Sequence, residues 1–231
     1  MYGYIKRYPD GAIRFRVNIP DHEIQEIPIK QDWSSTDYGN IHEELPPDMP
    51  LPKGKSMRIT TYQDANLYHN MVTERAMSGI IHLINQTPVY WFYKKQQKVE
   101  TAYGSEFMVA RQATEQIMDL RYTLRMMGIP IDGPAWMFGD NYSVIVSSTI
   151  PQTNLNKRHN ALSYHRVREC IASGIIHFQH ISGHCNPSDI LTKYLEWTKF
   201  WPLMQPLLFW KVETLLQNSM VLLLFLKSLK I

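Results

Sequence analysis

Seven residues spaced along one helical face constrain this chain more than any other pattern in it. Glu106, Ala110, Ala113, Ile117, Leu120, Leu124 and Met127 recur at spacings of 4, 3, 4, 3, 4 and 3, which stacks side chains on one face of an α-helix. Gly128 and then Pro130 close the run, a residue suited to a left-handed cap followed by one that cannot continue a helix. A helix with such a stripe needs a second layer to bury it against. The preceding residues supply strands: Met57 to Leu67, Ala76 to Asn85 and Pro88 to Tyr93, with intervals short enough for an antiparallel meander. After Gly133-Pro134, Ala135 to Phe138 predicts a fourth strand. Lys157 to Ser173 predicts a second helix, with Ala161, Tyr164, Val167 and Ile171 on one side, and Ile175 to Ile181 a fifth strand. Asn186-Pro187 before Ser188-Asp189 reads as a further helix start. The expected class is α/β, a mixed five-stranded sheet flanked by helices.

One member of the stripe is a carboxylate. Glu106 at the first turn of its helix is expensive to desolvate unless positive charge compensates. The helix N-terminus supplies part of that and a metal ion would supply more; the blander alternative is a residue at the rim with its head in water. Three further acids stand in blocks as distinctive: Tyr62-Gln63-Asp64-Ala65-Asn66-Leu67, Phe138-Gly139-Asp140-Asn141, and Asn186-Pro187-Ser188-Asp189-Ile190-Leu191-Thr192-Lys193. Glu106 itself lies in Gly104-Ser105-Glu106-Phe107.

These four blocks, in the order Asp, Glu, Asp, Asp, resemble the carboxylate tetrad of ribonuclease H, in the version found at the C-terminal end of Pol polyproteins of copia-type LTR retrotransposons. The resemblance runs from about residue 1 to about residue 214. It includes Pro88 to Gln96 as a third-strand signature and Val99 to Phe107 as the approach to the first helix. Lys157-Arg158-His159 with Tyr164 to Glu169 resembles the basic helix. Residues 1–55 resemble the segment connecting reverse transcriptase to its ribonuclease H domain, 56–199 the ribonuclease H-like domain, and 200–231 a C-terminal extension unrelated to the family after Thr214. Polymerase, integrase and protease cores are not represented, so the chain reads as the C-terminal fragment of an element. The chain departs from the family at Thr73-Glu74-Arg75-Ala76, where a Thr-Gly-Arg-Ser turn is usual, and at Ser188, where alanine usually precedes the last aspartate.

The resemblance implies a metal-dependent endonuclease that hydrolyses the RNA strand of RNA–DNA hybrids. Two Mg2+ ions, with Mn2+ as a substitute, would sit roughly 3.5–4 Å apart on the scissile phosphate. Asp64 would bridge both, Glu106 and Asp140 would help hold one and Asp189 the other; hard oxygen donors suit such ions. Implied partners are the hybrid and a reverse transcriptase domain. For substrate grip, Lys94, Lys95 and Lys98 follow the third strand, and Lys157, Arg158, His165, Arg166 and Arg168 cluster around the second helix. Each either meets phosphate or belongs to an ordinary solvated face. Trp91, Tyr93 and Tyr164, interleaved with them, either stack on bases or pack. Family members often carry a histidine before the last aspartate that assists product release; His180 and His184 are candidates, with a solvated loop histidine as the alternative. His180, His184 and Cys185 lack the paired spacing of a structural zinc site. The rival to the enzyme is a degenerate or repurposed fragment that binds nucleic acid or a polymerase partner without cutting.

Composition adds bounds. Of 231 residues 44% are hydrophobic and 19% charged, which excludes a disordered charged tail, while a net charge of +3 says little about a nucleic-acid partner. Two cysteines, Cys170 and Cys185, and no apolar stretch in Met1 to Arg7 lead to an expectation of free thiols and an intracellular, cytoplasmic or nuclear location. Met220 to Leu226 is short of the roughly 20 apolar residues a bilayer span needs, so a docked or frayed helix and no membrane partner are expected. Ala12 to Ile19 alternates like an edge strand, and Pro46, Pro47, Pro50 and Pro52 stiffen a connector.

Overall fold

β1 (Ile59–Asn66), β2 (Met77–Ile84) and β3 (Thr87–Lys95) form the antiparallel meander, with β3 running two residues past the expected Tyr93. β4 (Ala135–Gly139) and β5 (Ile176–His180) continue the sheet in parallel on the other side of β1, giving the order β3-β2-β1-β4-β5. This is the mixed five-stranded α/β sheet flanked by helices that the sequence predicts. The computed structural model describes residues 31–67, 75–98, 101–155 and 158–208. The alternating stretch 12–19, the turn residues Thr73 and Glu74, Lys157 and the tail beyond 208 lie outside the described residues.

β1 and β2 are buried on both faces, as strands sandwiched between layers must be. The long helix α1 (Ala102–Met126) lays its stripe on this sheet, with Phe107, Ala110, Ala113, Ile117 and Leu124 packed with Ile59, Ile80, Met137 and Phe178. Each such large side chain contributes about 1.5–3 kcal/mol on burial. Met127, the last member of the expected stripe, is the exposed cap residue.

Two short helices join β4 to β5: α2 (Tyr142–Thr149) and α3 (Ala161–Ala172). The first was not expected. Its sequence, Tyr-Ser-Val-Ile-Val-Ser-Ser-Thr, is rich in β-branched and hydroxyl residues that disfavour helix. Tertiary packing overrides this: Val144 and Ile145 are buried, the Asn141 side chain caps the start by accepting from the Val144 N–H, and Ser147, Ser148 and Thr149 donate their hydroxyls back to carbonyls four residues earlier. α3 begins at Ala161, after a 3-10 turn at Arg158–Asn160, four residues later than Lys157.

Arg168 was grouped with the phosphate-gripping residues, and the structure corrects this. It is 2% exposed, and its guanidinium caps the end of α2 and the loop beyond. Nη1 donates to Ser147 O, Ile150 O and Thr153 Oγ1 at 2.8, 2.9 and 2.8 Å, and Nη2 to Pro151 O at 2.7 Å. The rings of Trp33, Tyr38 and Tyr164 close over it at 4.7, 5.2 and 4.9 Å. Tyr164 is likewise part of the packing, its hydroxyl donating to Thr153 O at 2.6 Å.

Trp33 and Tyr38 belong to the segment read as connector, and that segment is clamped a second time. The Glu43 carboxylate receives Arg121 Nε at 2.7 Å and Nη2 at 2.8 Å, and both Nη groups of Arg125. Burial pushes the Glu43 carboxyl up, but the hydrogen bonds and charges of the two arginines outweigh it and hold the pKa at about 2, against an ordinary 4.5. A depressed carboxyl stabilises the fold fully above its unfolded value and loses that contribution as pH falls toward the folded value. Glu43→Gln is therefore expected to cost about 3 kcal/mol at pH 7, leaving Arg121 buried and half-paired. Thermal melts should show the gap from wild type closing between about pH 4.5 and pH 2. A gap independent of pH would contradict the clamp.

Among the described residues no helix is long and apolar enough to cross a membrane.

Candidate active site

The parallel pair β1 and β4 delivers two acids to the same end of the sheet. Asp64 lies near the C-terminal end of β1, opposite Gly79 of β2, and Asp140 directly follows β4. Such strand ends are where open α/β sheets present ligand sites. Glu106 reaches this end from α1. The helix starts four residues earlier than the expected first turn, at the Thr101 cap, so Glu106 stands one turn in and gains less from the helix N-terminus. It is 6% exposed. Its Oε1 accepts from the Ala65 N–H at 3.3 Å, and Oε2 is buried with no hydrogen-bond partner.

Asp64, Glu106 and Asp140 each offer an oxygen within 4.8 Å of the others, a spacing that can hold a metal ion. Asp64 is 1% exposed and Asp140 half-buried. Burial, then the charges of Asp64 and Asp140, drive the Glu106 pKa well above the ordinary carboxylate range. Burial and the charge of Asp64 raise Asp140 as well. Buried carboxylates pressed together like this are costly without a cation. Hard oxygens, an orphaned buried Oε2 and crowded negative charge fit a divalent metal ion.

Asp189 opens the single-turn helix α4 (Asp189–Thr192), and it joins the others through a residue the sequence reading quoted but gave no role. The Lys193 ammonium lies 2.8 Å from Asp189 Oδ1, 3.1 Å from Asp64 Oδ1 and 3.8 Å from Asp140 Oδ2. Burial works against this ammonium, yet Asp64 and Asp189 hold its pKa above the usual lysine value. Burial, only partly offset by the Lys193 hydrogen bond, raises Asp189 to about 6. The i,i+4 spacing from Asp189 to Lys193 was the available signal.

The neighbouring loop is fastened from below. Asn186 is buried, donates to Gln63 O at 2.9 Å, and accepts the Ser188 hydroxyl at 2.6 Å. The serine that departs from the family's alanine thus acquires a partner. The Thr192 hydroxyl donates to Asp64 Oδ2. α4 comes so close to β2 that a Cβ on Gly79 would meet Thr192 Cγ2 at 2.6 Å, Ser188 O at 3.1 Å and Leu191 Cβ at 3.2 Å. Gly79→Ala is expected to cost about 1–3 kcal/mol by overpacking, and to lower any activity of this site more than stability, because α4 carries Asp189. Melting and turnover measured together check this; unchanged turnover would contradict the placement.

The predicted substrate contacts are dispersed. Lys94 and Lys98 are exposed and Lys95 half-buried. Lys94 and Lys95 pair with Ser78 and Met77 of β2, next to Gly79, about 10 Å from the Asp64 strand at two strand spacings. Trp91 and Tyr93 are half-exposed beside them. Arg158 is exposed; His165 is exposed and hydrogen-bonds Tyr38; Arg166 pairs with Glu169 at 3.3 Å. His180 Nε2 lies 3.2 Å from Asp140 O, while His184 and Cys185 are exposed on the turn Gly183–Cys185.

No protein-family model matches the chain. By sequence it is 26% identical over 151 residues to the retrovirus-related Pol polyprotein from transposon RE2 of Arabidopsis thaliana, covering 65% of this chain and 10% of that protein. The Pol polyprotein from transposon TNT 1-94 of Nicotiana tabacum is 22% identical over 148 residues, 64% of this chain and 11% of its own length. The chain thus spans about a tenth of the curated relatives it matches. Among solved structures, ribonuclease H1 from Halobacterium salinarum NRC-1 superposes with a TM-score of 0.46 at 17% identity, over 58% of this chain and 94% of that one. The N-terminal ribonuclease H domain of a Mycobacterium tuberculosis protein gives 0.48 at 12% identity, over 65% and 98%. The chain is thus similar in sequence to part of the retrovirus-related Pol polyproteins of plant transposons, and its described residues form a mixed five-stranded sheet flanked by helices.

Proposed function

We propose that this chain is the ribonuclease H part of a copia-type retrotransposon Pol polyprotein and hydrolyses the RNA strand of RNA–DNA hybrids with Mg2+. The observation that carries this reading is the convergence of Asp64, Glu106 and Asp140, drawn from three separate elements, on one group of oxygens within 4.8 Å. The similarity to Pol polyproteins supports it.

Asp64, Glu106 and Asp140 would hold the cation, with Asp189 at the edge of the same cup. When bound, a divalent cation polarises the phosphate and eases deprotonation of a water at neutral pH. Everything else falls to the chain. The Thr192 hydroxyl holds the Asp64 carboxylate and Asn186 anchors the Gln63 backbone beside it, which spares reorganisation during the reaction. Lys94, Lys95, Lys98, Arg158, His165 and Arg166 are proposed to meet backbone phosphates, and Lys157 is proposed with them on sequence alone. Such contacts read the shape of an A-like hybrid, not its sequence. A reverse transcriptase domain is the proposed protein partner.

Incubating the full chain with labelled hybrid and Mg2+ tests the proposal. Cutting of the RNA strand alone, stopped by chelator, is the expected result. Retention of the hybrid without cutting would instead identify a binding module.

A further inference from the structure

Two large aromatic rings stand half-exposed side by side on the outermost strand. Trp91 and Tyr93 of β3 are 56% and 50% exposed. Two residues apart, they share one face of the strand at a spacing of about 7 Å. Lys94 and Lys95 end the same strand, and the exposed Lys98 follows it. We propose that this end of β3 binds single-stranded nucleic acid, whose bases stack on Trp91 and Tyr93 while its phosphates meet the three lysines. The inference rests on the hybrid-cleaving reading above and extends it to the unpaired strand that runs on from the duplex.

Three observations carry it. The first is register: Asp64 pairs with Gly79, and Gly79 with Tyr93. Residues directly opposite each other share a face, so Tyr93 stands on the face of Asp64, about 10 Å away at two strand spacings. Between them Gly79 has no side chain, and α4 lies over it. A single strand that leaves the cup across the edge of α4 meets Tyr93 and then Trp91. The second is the surface itself. Trp91 walls an open groove of about 260 Å3 whose other walls, Ile81, Ile190, Leu191 and Leu207 among them, are apolar. Such a surface gives a base something to lie on and nothing to read its edge, which suits binding without sequence preference. The third is charge. Among the described residues, Lys94, Lys95 and Lys98 form no ion pair. Uncompensated cations beside exposed rings match a polyanion that carries flat bases. An apolar protein segment would leave the lysines unused.

Fluorescence anisotropy of labelled oligouridylate with the full-length chain, in chelator so that nothing is cut, tests this. Wild type is expected to bind, and less tightly as salt rises. Trp91→Ala and Tyr93→Ala should each weaken binding about tenfold, the loss of one stacked base. Trp91→Phe and Tyr93→Phe should keep most of it. No binding by wild type, as when a protein segment covers the rings, overturns the assignment, and so does equal affinity in the alanine variants. Should those variants not fold, ultraviolet crosslinking of oligouridylate to wild type decides: a crosslink on β3 sustains the site, and none there overturns it. The cleavage assay reads the broader proposal separately. A chain that cuts blunt hybrid yet ignores oligouridylate sinks only the β3 site. One that binds through Trp91 and Tyr93 and cuts nothing sinks only the nuclease.

Discussion

Asp64→Asn is expected to lower hybrid cleavage by roughly 10^3-fold or more while leaving a folded protein. Asp64 is the most shielded of the four acids and contacts both halves of the cup, through Glu106 and Asp140 on one side and Lys193 on the other. Amide for carboxylate keeps the shape and removes the charge. Losing several kcal/mol of charge stabilisation at a metal site corresponds to that loss of rate, at about 1.4 kcal/mol per tenfold. The melting temperature should move by only a few degrees, because the same change relieves repulsion on Glu106 and Asp140. Single-turnover rates with melts on the same samples separate the two effects. Wild-type cleavage by the Asn variant would remove Asp64 from the chemistry.

Arg168→Leu is expected to be the most destabilising single change away from the cup. It would remove the charged donor from three carbonyls and from the Thr153 hydroxyl and open the cage of Trp33, Tyr38 and Tyr164. Charged hydrogen bonds are worth about 1.5–3 kcal/mol each and are not additive, so a total on the order of 4 kcal/mol is expected, or a fall of roughly 10 °C in melting temperature. Lysine cannot reproduce the planar fork, so Arg168→Lys should recover little of it. The segment around Trp33 should become the first to be cut by protease in either variant. A melting temperature within a degree or two of wild type would contradict the cage.

Arg168 also shows where sequence reading stops. In the sequence it stands among Arg158, His165 and Arg166 and looks like one more surface cation. Helical geometry puts it four residues after Tyr164, on the packed side, and its acceptors lie at the end of, and in the loop after, a helix whose β-branched sequence gave no sign of itself. The stripe of α1 was legible because burial imposes a period on its sequence, and the five strands because short runs of strand-forming residues stand between turn residues. The four acids were legible through family resemblance, and three of them lie within ligand distance of one another. Lys193 was not legible as a partner of Asp64, because that contact joins positions 129 residues apart and no local pattern encodes it. Likewise Glu43, read as part of a proline-stiffened connector, became the clamp for Arg121 and Arg125 only once the chain was folded.

The most direct test of the cup itself is the anomalous scattering from crystals of the full chain grown with Mn2+. The account predicts an anomalous peak within coordinating distance of Asp64, Glu106 and Asp140. Carboxylates in that same arrangement with no peak among them, at a Mn2+ concentration that supports cleavage, would contradict it.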